Sequence, residues 1–185
     1  KITIGDVYSV MGNHENSVSY YEEGIKEIRS VKTDSINLAT ALLNAGDEFF
    51  NAGNYEKAMT LFYESSLICN KINFRMGSAY NLGNIGMVYA KQNKPKLAEA
   101  NINEAIKILE EEKDYYPISV YLDYVAEIYL NNKKYKFALN YSKRSLDLAK
   151  KYQLKEQISS ANLMLSSIYE KLSRPSNSLY HYKQY

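Results

Sequence analysis

The stretch LGNIGMVYAKQNKPKLAEANINEA, Leu82 to Ala105, carries the reading of the whole chain. Within it Gly86 is followed three residues later by Tyr89, and nine residues after Tyr89 stands Ala98, with Ile102 four further on. The same spacing recurs on both sides. Tyr89, Tyr129 and Tyr169 lie 40 residues apart, Phe49 lies 40 before Tyr89, and Tyr8 lies 41 before Phe49. Three positions before each aromatic stand Gly5, Gly46, Gly86, Ala126 and Ser166; nine positions after stand Ser17, Ala58, Ala98, Ala138 and Ser178. All ten are small. A fixed period of this length marks a repeat architecture, and small residues in register mark where two antiparallel helices approach closely. The aromatic one turn after the first small residue is expected to fill the wedge beside that contact.

A further column, Tyr21, Phe62, Ile102, Ser142 and Tyr182, extends the same helix face, since residues four apart stack on one side of a helix. Polar pairs fall between the apolar-periodic segments: Gly12-Asn13, Gly53-Asn54, Asn93-Lys94, Lys133-Lys134 and Ser173-Arg174. The next column, His14, Tyr55, Pro95, Tyr135 and Pro175, admits proline because a helix's first turn has no use for its N–H. Ten helices follow. The first helix of each hairpin is expected near 1–11, 33–52, 74–92, 115–131 and 154–172. The second is expected near 14–31, 54–72, 94–111, 134–152 and from 175 to the end.

The pattern resembles the tetratricopeptide-repeat (TPR) family, most clearly in Leu42, Ala45, Gly46, Phe49, Ala58 and Phe62 and in Leu82, Ile85, Gly86, Tyr89, Ala98, Ile102 and Ala105. Ser142 and Asn162 depart from it, which implies looser packing in the last two repeats. The resemblance implies an all-α fold, a right-handed superhelix of about five antiparallel hairpins with the first and last truncated. Residues 1–185 are then a single array, with repeats near 1–32, 33–72, 73–112, 113–152 and 153–185. The 40-residue period is longer than the usual ~34. It is similar to repeats of bacterial peptide-pheromone receptors and of animal spindle-orientation adaptors, the latter through Asn81-Leu82-Gly83-Asn84-Ile85-Gly86. Neither end shows the polar capping helix a solenoid needs, so a continuation in at least one direction is expected.

Composition excludes several classes. Lysine and arginine number 23 against 21 acidic residues, a net charge of +2, which is too balanced for a nucleic-acid binder. Three prolines and eight glycines are few for an all-β chain. One cysteine rules out an internal disulfide framework and a cysteine-based zinc site. No run is long enough to span a membrane. Nineteen tyrosines and no tryptophan suit a thin fold, in which a ring is buried and its hydroxyl stays wet. No phosphate loop, metal-binding helix or catalytic constellation is visible. His14 reads as a turn residue, His181 as structural, and Cys69 as a buried thiol in the apolar column Ile28, Cys69, Leu109, Ala149. No catalytic residue, metal or cofactor is expected.

Binding is the expected activity. In the resembled family the first helices line the concave face, and positions offset from the signature point into the groove. Here these are Asn44, Asp47, Asn51, Asn81, Asn84, Met87, Lys91, Asp123, Tyr124, Glu127 and Asn131. Asn44 and Asn84 share a column. A side-chain amide both donates and accepts, so it can hold a peptide backbone without reading its sequence, and in the resembled families an asparagine here clamps the peptide main chain. As exposed groove residues they should be dispensable for stability. The partner expected is a protein or peptide, with no nucleic acid, no membrane contact by this segment, and a homodimer left open. The resemblance implies the regulatory region of a larger bacterial signalling protein, whose output is a histidine kinase, a nucleotide cyclase or a transcription regulator. The alternative is a free-standing scaffold or co-chaperone adaptor, disfavoured because Lys91 and Lys171, the groove cations, lie two repeats apart. A cytoplasmic location is expected, with an extracytoplasmic sensor region of a membrane-anchored protein as the alternative.

Overall fold

The computed structural model describes residues 1–30 and 35–185, and every described regular element is helical. Ten helices follow in order: α1 (Ile2–Val10), α2 (His14–Ser30), α3 (Ile36–Asn51), α4 (Tyr55–Lys71), α5 (Arg75–Lys91), α6 (Pro95–Glu112), α7 (Tyr115–Asn131), α8 (Tyr135–Lys151), α9 (Lys155–Lys171) and α10 (Pro175–Tyr182). The bounds read from the sequence agree to within a few residues. The expected repeat boundary at 32/33 and the first residues of the helix expected from 33 lie outside the described residues.

The turns have one construction. Gly12, Gly53, Asn93, Lys133 and Ser173, the first member of each polar pair, all adopt positive φ, between +55° and +77°. The residue after each donates its N–H back to the carbonyl of the aromatic column: Asn13 to Tyr8, Asn54 to Phe49, Lys94 to Tyr89, Lys134 to Tyr129 and Arg174 to Tyr169, at 2.8–2.9 Å. This is the left-handed helix cap, which satisfies carbonyls that the ended helix leaves without partners. The turns between repeats use it too. Asn73, Lys113 and Gln153 take positive φ, and Phe74, Asp114 and Leu154 bond back to Cys69, Leu109 and Ala149. On the entry side, Asn54 and Ser35 accept from the amides of Lys57 and Leu38 as N-caps. Pro95 and Pro175 open α6 and α10.

The chain divides into two compact units, Lys1–Val88 and Tyr89–Tyr185. In the first, α1 packs on α2, α2 on α3, and α3 on α4. Gly5 and Gly46 sit where the helices nearly touch. A Cβ on Gly46 would lie 2.5 Å from the Phe62 ring, and one on Gly5 would lie 3.1 Å from Tyr21. The ring that each small residue admits is therefore the one from the partner helix, in the column Tyr21 and Phe62. The aromatic on its own helix takes the flank. Ser17, across from Gly5, donates its hydroxyl to the Gly5 carbonyl at 2.9 Å. The core of this unit joins Tyr21, Ile25, Leu38, Leu42, Ala45 and Cys69.

In the second unit α7 packs on α6 and α8, and α9 on α8 and α10. Ala98, Ala126 and Ala138 are fully buried. Ser142 and Asn162, the departures from the family pattern, are buried with their polar atoms satisfied. Ser142 donates to the Ala161 carbonyl at 3.4 Å, and Asn162 bonds the Ile158 carbonyl at 2.8 Å. His181 stacks on Tyr169, with ring centroids 5.5 Å apart, and its Nδ1 lies 2.9 Å from Asn162 Oδ1. Burial, with Lys150 and Lys143 nearby, lowers its pKa. Asn162 Oδ1 can only accept, so the ring N–H donates that bond. Tyr182 leaves the seam its column predicts and is 59% exposed.

Candidate functional site

Residues three apart on a helix share a face, so Asn44 and Asp47 lie together on α3, with Asn84 on α5. Each asparagine reaches to an acidic residue one repeat earlier. Asn44 Nδ2 donates to Asp6 Oδ1 at 3.1 Å, and Asn84 Nδ2 donates to Asp47 Oδ1 at 2.6 Å. Asp6 also accepts from the Tyr21 hydroxyl at 2.6 Å. Burial, with that acidic partner, holds the Tyr21 phenol well above the usual range. The amide column is thus anchored to a carboxylate column, repeat by repeat. Burial, together with the adjacent Glu48 charge, pushes the Asp47 carboxyl up to about 7 against the opposing bond from Asn84.

The next residue faces the other way. Glu48 is almost fully buried. It lies 2.8 Å from His14 Nδ1 and accepts a bond from the Ser9 hydroxyl. His14 therefore does more than occupy a turn, since it ties the first hairpin to α3. Only a carboxylate partner found in the fold could have revealed that.

Within the second unit the expected site residues are close together on one surface. Lys91 Nζ lies 3.3 Å from both Glu127 carboxylate oxygens and 5.3 Å from the centre of the Tyr124 ring. The four residues Lys91, Glu127, Asn131 and Asn132 help to line a shallow cleft beside the α5–α6 turn. Asp123 is buried, and one of its oxygens has no hydrogen-bond partner among the described residues. Burial pushes its carboxyl up to about 6.

The eleven expected groove residues do not share one environment. Asn51, Lys91 and Asn131 are exposed, and Asn44, Asp47, Tyr124 and Glu127 are half-buried. Asn84, Met87 and Asp123 are buried, which corrects the expectation of an open polar strip. Asn81 is a further correction, being wholly enclosed. Its Nδ2 donates to Ser65 Oγ and to the Gly77 carbonyl, both at 2.8 Å, so it packs toward α4. The reason is register. Its column, Ala41, Asn81, Tyr121 and Ala161, is buried throughout, and its two alanines were the available sequence signal.

No group of three His, Cys, Asp or Glu side chains among the described residues could hold a metal ion. No described helix is long and apolar enough to cross a membrane.

Helical hairpins repeated at one spacing, with small residues at their closest approaches and a left-handed cap at each turn, define an α-solenoid. The chain has an α-solenoid fold of the tetratricopeptide-repeat type. The tetratricopeptide-repeat family pattern matches residues 2–30 and 79–111. A regulatory protein, RapG of Bacillus subtilis (strain 168), is 26% identical over 134 residues, 72% of this chain and 36% of that protein. The chain thus spans about a third of the curated relative's length. Among solved structures, the Rap conjugation gene regulator of the plasmid pLS20, in complex with the Phr* peptide, matches with a TM-score of 0.84 at 14% identity. That match covers 99% of this chain and 50% of the regulator. BtubC from P. vanneervenii matches with a TM-score of 0.78 at 13% identity, over 97% of this chain and 74% of that one. At such identities the structural likeness concerns the fold.

Proposed function

We propose that this array binds a peptide or an extended protein segment, and that it serves as the regulatory region of a larger bacterial signalling protein. The observation that carries the reading is the pair Asn44 and Asn84, one column on successive first helices, each held in orientation by a carboxylate of the preceding repeat. An amide whose rotamer is already fixed loses little entropy on binding, which favours its use as a backbone contact. The resemblance to a regulator whose structure contains a Phr* peptide supports the same ligand class. The output proposed for that larger protein is a kinase, a cyclase or a transcription regulator. Asp47, Asn51, Tyr124, Glu127 and Asn131 are proposed to flank the ligand within their own units.

The co-chaperone alternative is weaker. It calls for unpaired groove cations on adjacent repeats to grip a carboxylate, and Lys91 is already matched to Glu127.

The test is calorimetric titration with a peptide recovered by pull-down on the chain. Asn44→Ala should weaken binding several-fold while the fold is retained, because Asp6 keeps its Tyr21 donor. A control pair on an exposed face of α8, Lys143→Ala with Asp147→Ala, should leave affinity unchanged. Equal affinity for wild type and Asn44→Ala would place the binding surface elsewhere.

A further inference from the structure

A cavity of about 260 Å³ opens between α3, α4 and α5. Its mouth is formed by Thr40, Leu43, Asn44 and Tyr80, all at least partly exposed, so it opens beside the amide proposed to hold the ligand backbone. Its floor is formed by the buried residues Ala39, Ser65, Cys69, Gly77 and Asn81. The wall is almost wholly apolar and includes the rings of Phe74 and Tyr80 and the Cys69 sulfur. Polarizable sulfur and ring faces favour aromatic occupants.

One polar side chain in this lining stands out. Asn81 is fully buried, and no donor among the described residues reaches its Oδ1. The orientation of the amide is fixed by chemistry. The Gly77 carbonyl 2.8 Å away can only accept, so the group facing it must be the NH₂. Ser65 spends its own proton on the Ala39 carbonyl at 2.7 Å, and so accepts from Asn81. A buried acceptor left without a donor is costly unless something supplies one.

Size narrows the occupant. A cavity of about 150 Å³ holds benzene, and small-molecule sites run from about 300 Å³ upward. This one suits a single large side chain. We propose that the cavity is an anchor pocket for an aromatic side chain of the bound peptide that carries an N–H or O–H donor, with Asn81 Oδ1 as the acceptor. The proposal rests on the peptide-binding reading above, but its pocket chemistry can be tested without a peptide.

The probes are indole and indene, which share a shape and differ in the N–H. In titrations followed by NMR on the isotope-labelled chain, indole should bind about 2- to 12-fold more tightly than indene, the equivalent of one net hydrogen bond. The shifted amides should include Ala39 and Gly77. Asn81→Leu, close in shape, should erase the preference. Equal binding of the two probes by the wild-type chain overturns the pocket whatever the variant does, as do shifts confined to other helices. The two proposals also fail separately. If the indole preference holds and Asn44→Ala binds the recovered peptide normally, the backbone-clamp reading falls while the pocket's chemistry stands. If the probes bind equally and Asn44→Ala still loses affinity for the peptide, the pocket falls alone.

Discussion

Asn84 on α5 donates to the Asp47 carboxylate on α3 at 2.6 Å, a bond that joins one repeat to the next from within the surface proposed for the ligand. It makes the two asparagines unequal. Asp6 receives both Asn44 and Tyr21, whereas Asp47 is drawn toward ionisation by a single favourable partner, Asn84. Asn84→Ala should therefore destabilise the chain by about 1 kcal/mol, the cost of leaving the half-buried Asp47 carboxyl without this donor. Asn44→Ala should cost less. Urea denaturation of the two variants checks the order, and equal midpoints would contradict it. For Asn84 this bond argues against the expectation that the residue is dispensable for stability.

Asp47 also sets a pH dependence. Its folded-state pKa of about 7 lies above the unfolded value, which is about 3.9. Between those values the folded chain holds more protons than the unfolded one, so this group makes stability fall as pH rises through the window and level off above it. Asp123, pushed up to about 6, acts in the same direction. Asp47→Asn should raise the melting temperature at pH 8, and the gain should shrink toward zero as the pH approaches 4. Melting curves across that range measure it. A gain that persists at low pH would point to packing instead of ionisation.

How much of this the sequence disclosed depends on the kind of contact. Positions such as Gly46 and Ala98 were legible because close helix approach excludes large residues at one register, and the period repeats that constraint. Turn pairs such as Lys133-Lys134 were legible from polarity between apolar segments. That Lys133 itself carries the positive φ was not, because lysine has no preference for that region. The groove was only partly legible. Asn44 and Asn84 were placed on one column correctly, but their acidic partners lie 38 and 37 residues away and no local pattern links them. Asn81 misled because an asparagine looks like surface, whereas its amide nitrogen bonds Ser65 on α4 and its oxygen has no donor among the described residues.

The left-handed caps offer a gain in stability. Lys113 and Lys133 sit at φ of 60° and 57°, a conformation that costs an ordinary L residue about 1–2 kcal/mol. Glycine escapes that cost but gives up about 0.5–1 kcal/mol of chain entropy. Lys133→Gly should therefore stabilise by up to about 1 kcal/mol. In the opposite sense, Gly53→Ala, at φ 77° with open space around the new methyl, should destabilise through backbone strain alone. Thermal melts of the two variants should move in opposite directions.

The closest helix approach gives the sharpest test of the repeat register. A Cβ on Gly46 would meet Phe62 carbons at 2.5 and 2.7 Å, and Phe62 is fully buried with no room to retreat. Gly46→Ala should therefore cost about 1–3 kcal/mol as overpacking, despite alanine's better helix propensity of about 1 kcal/mol. Phe62→Leu alone should also destabilise, since it removes buried ring surface. Combined, the two should cost less than their sum, because the smaller leucine makes space for the methyl that alanine brings. Neighbours in contact typically couple by about 0.5–3 kcal/mol in such a cycle. Denaturation midpoints of the wild type, both single variants and the double variant measure the coupling. Strict additivity would mean that these residues do not touch, and would remove the seam from which the register of the first two hairpins is built.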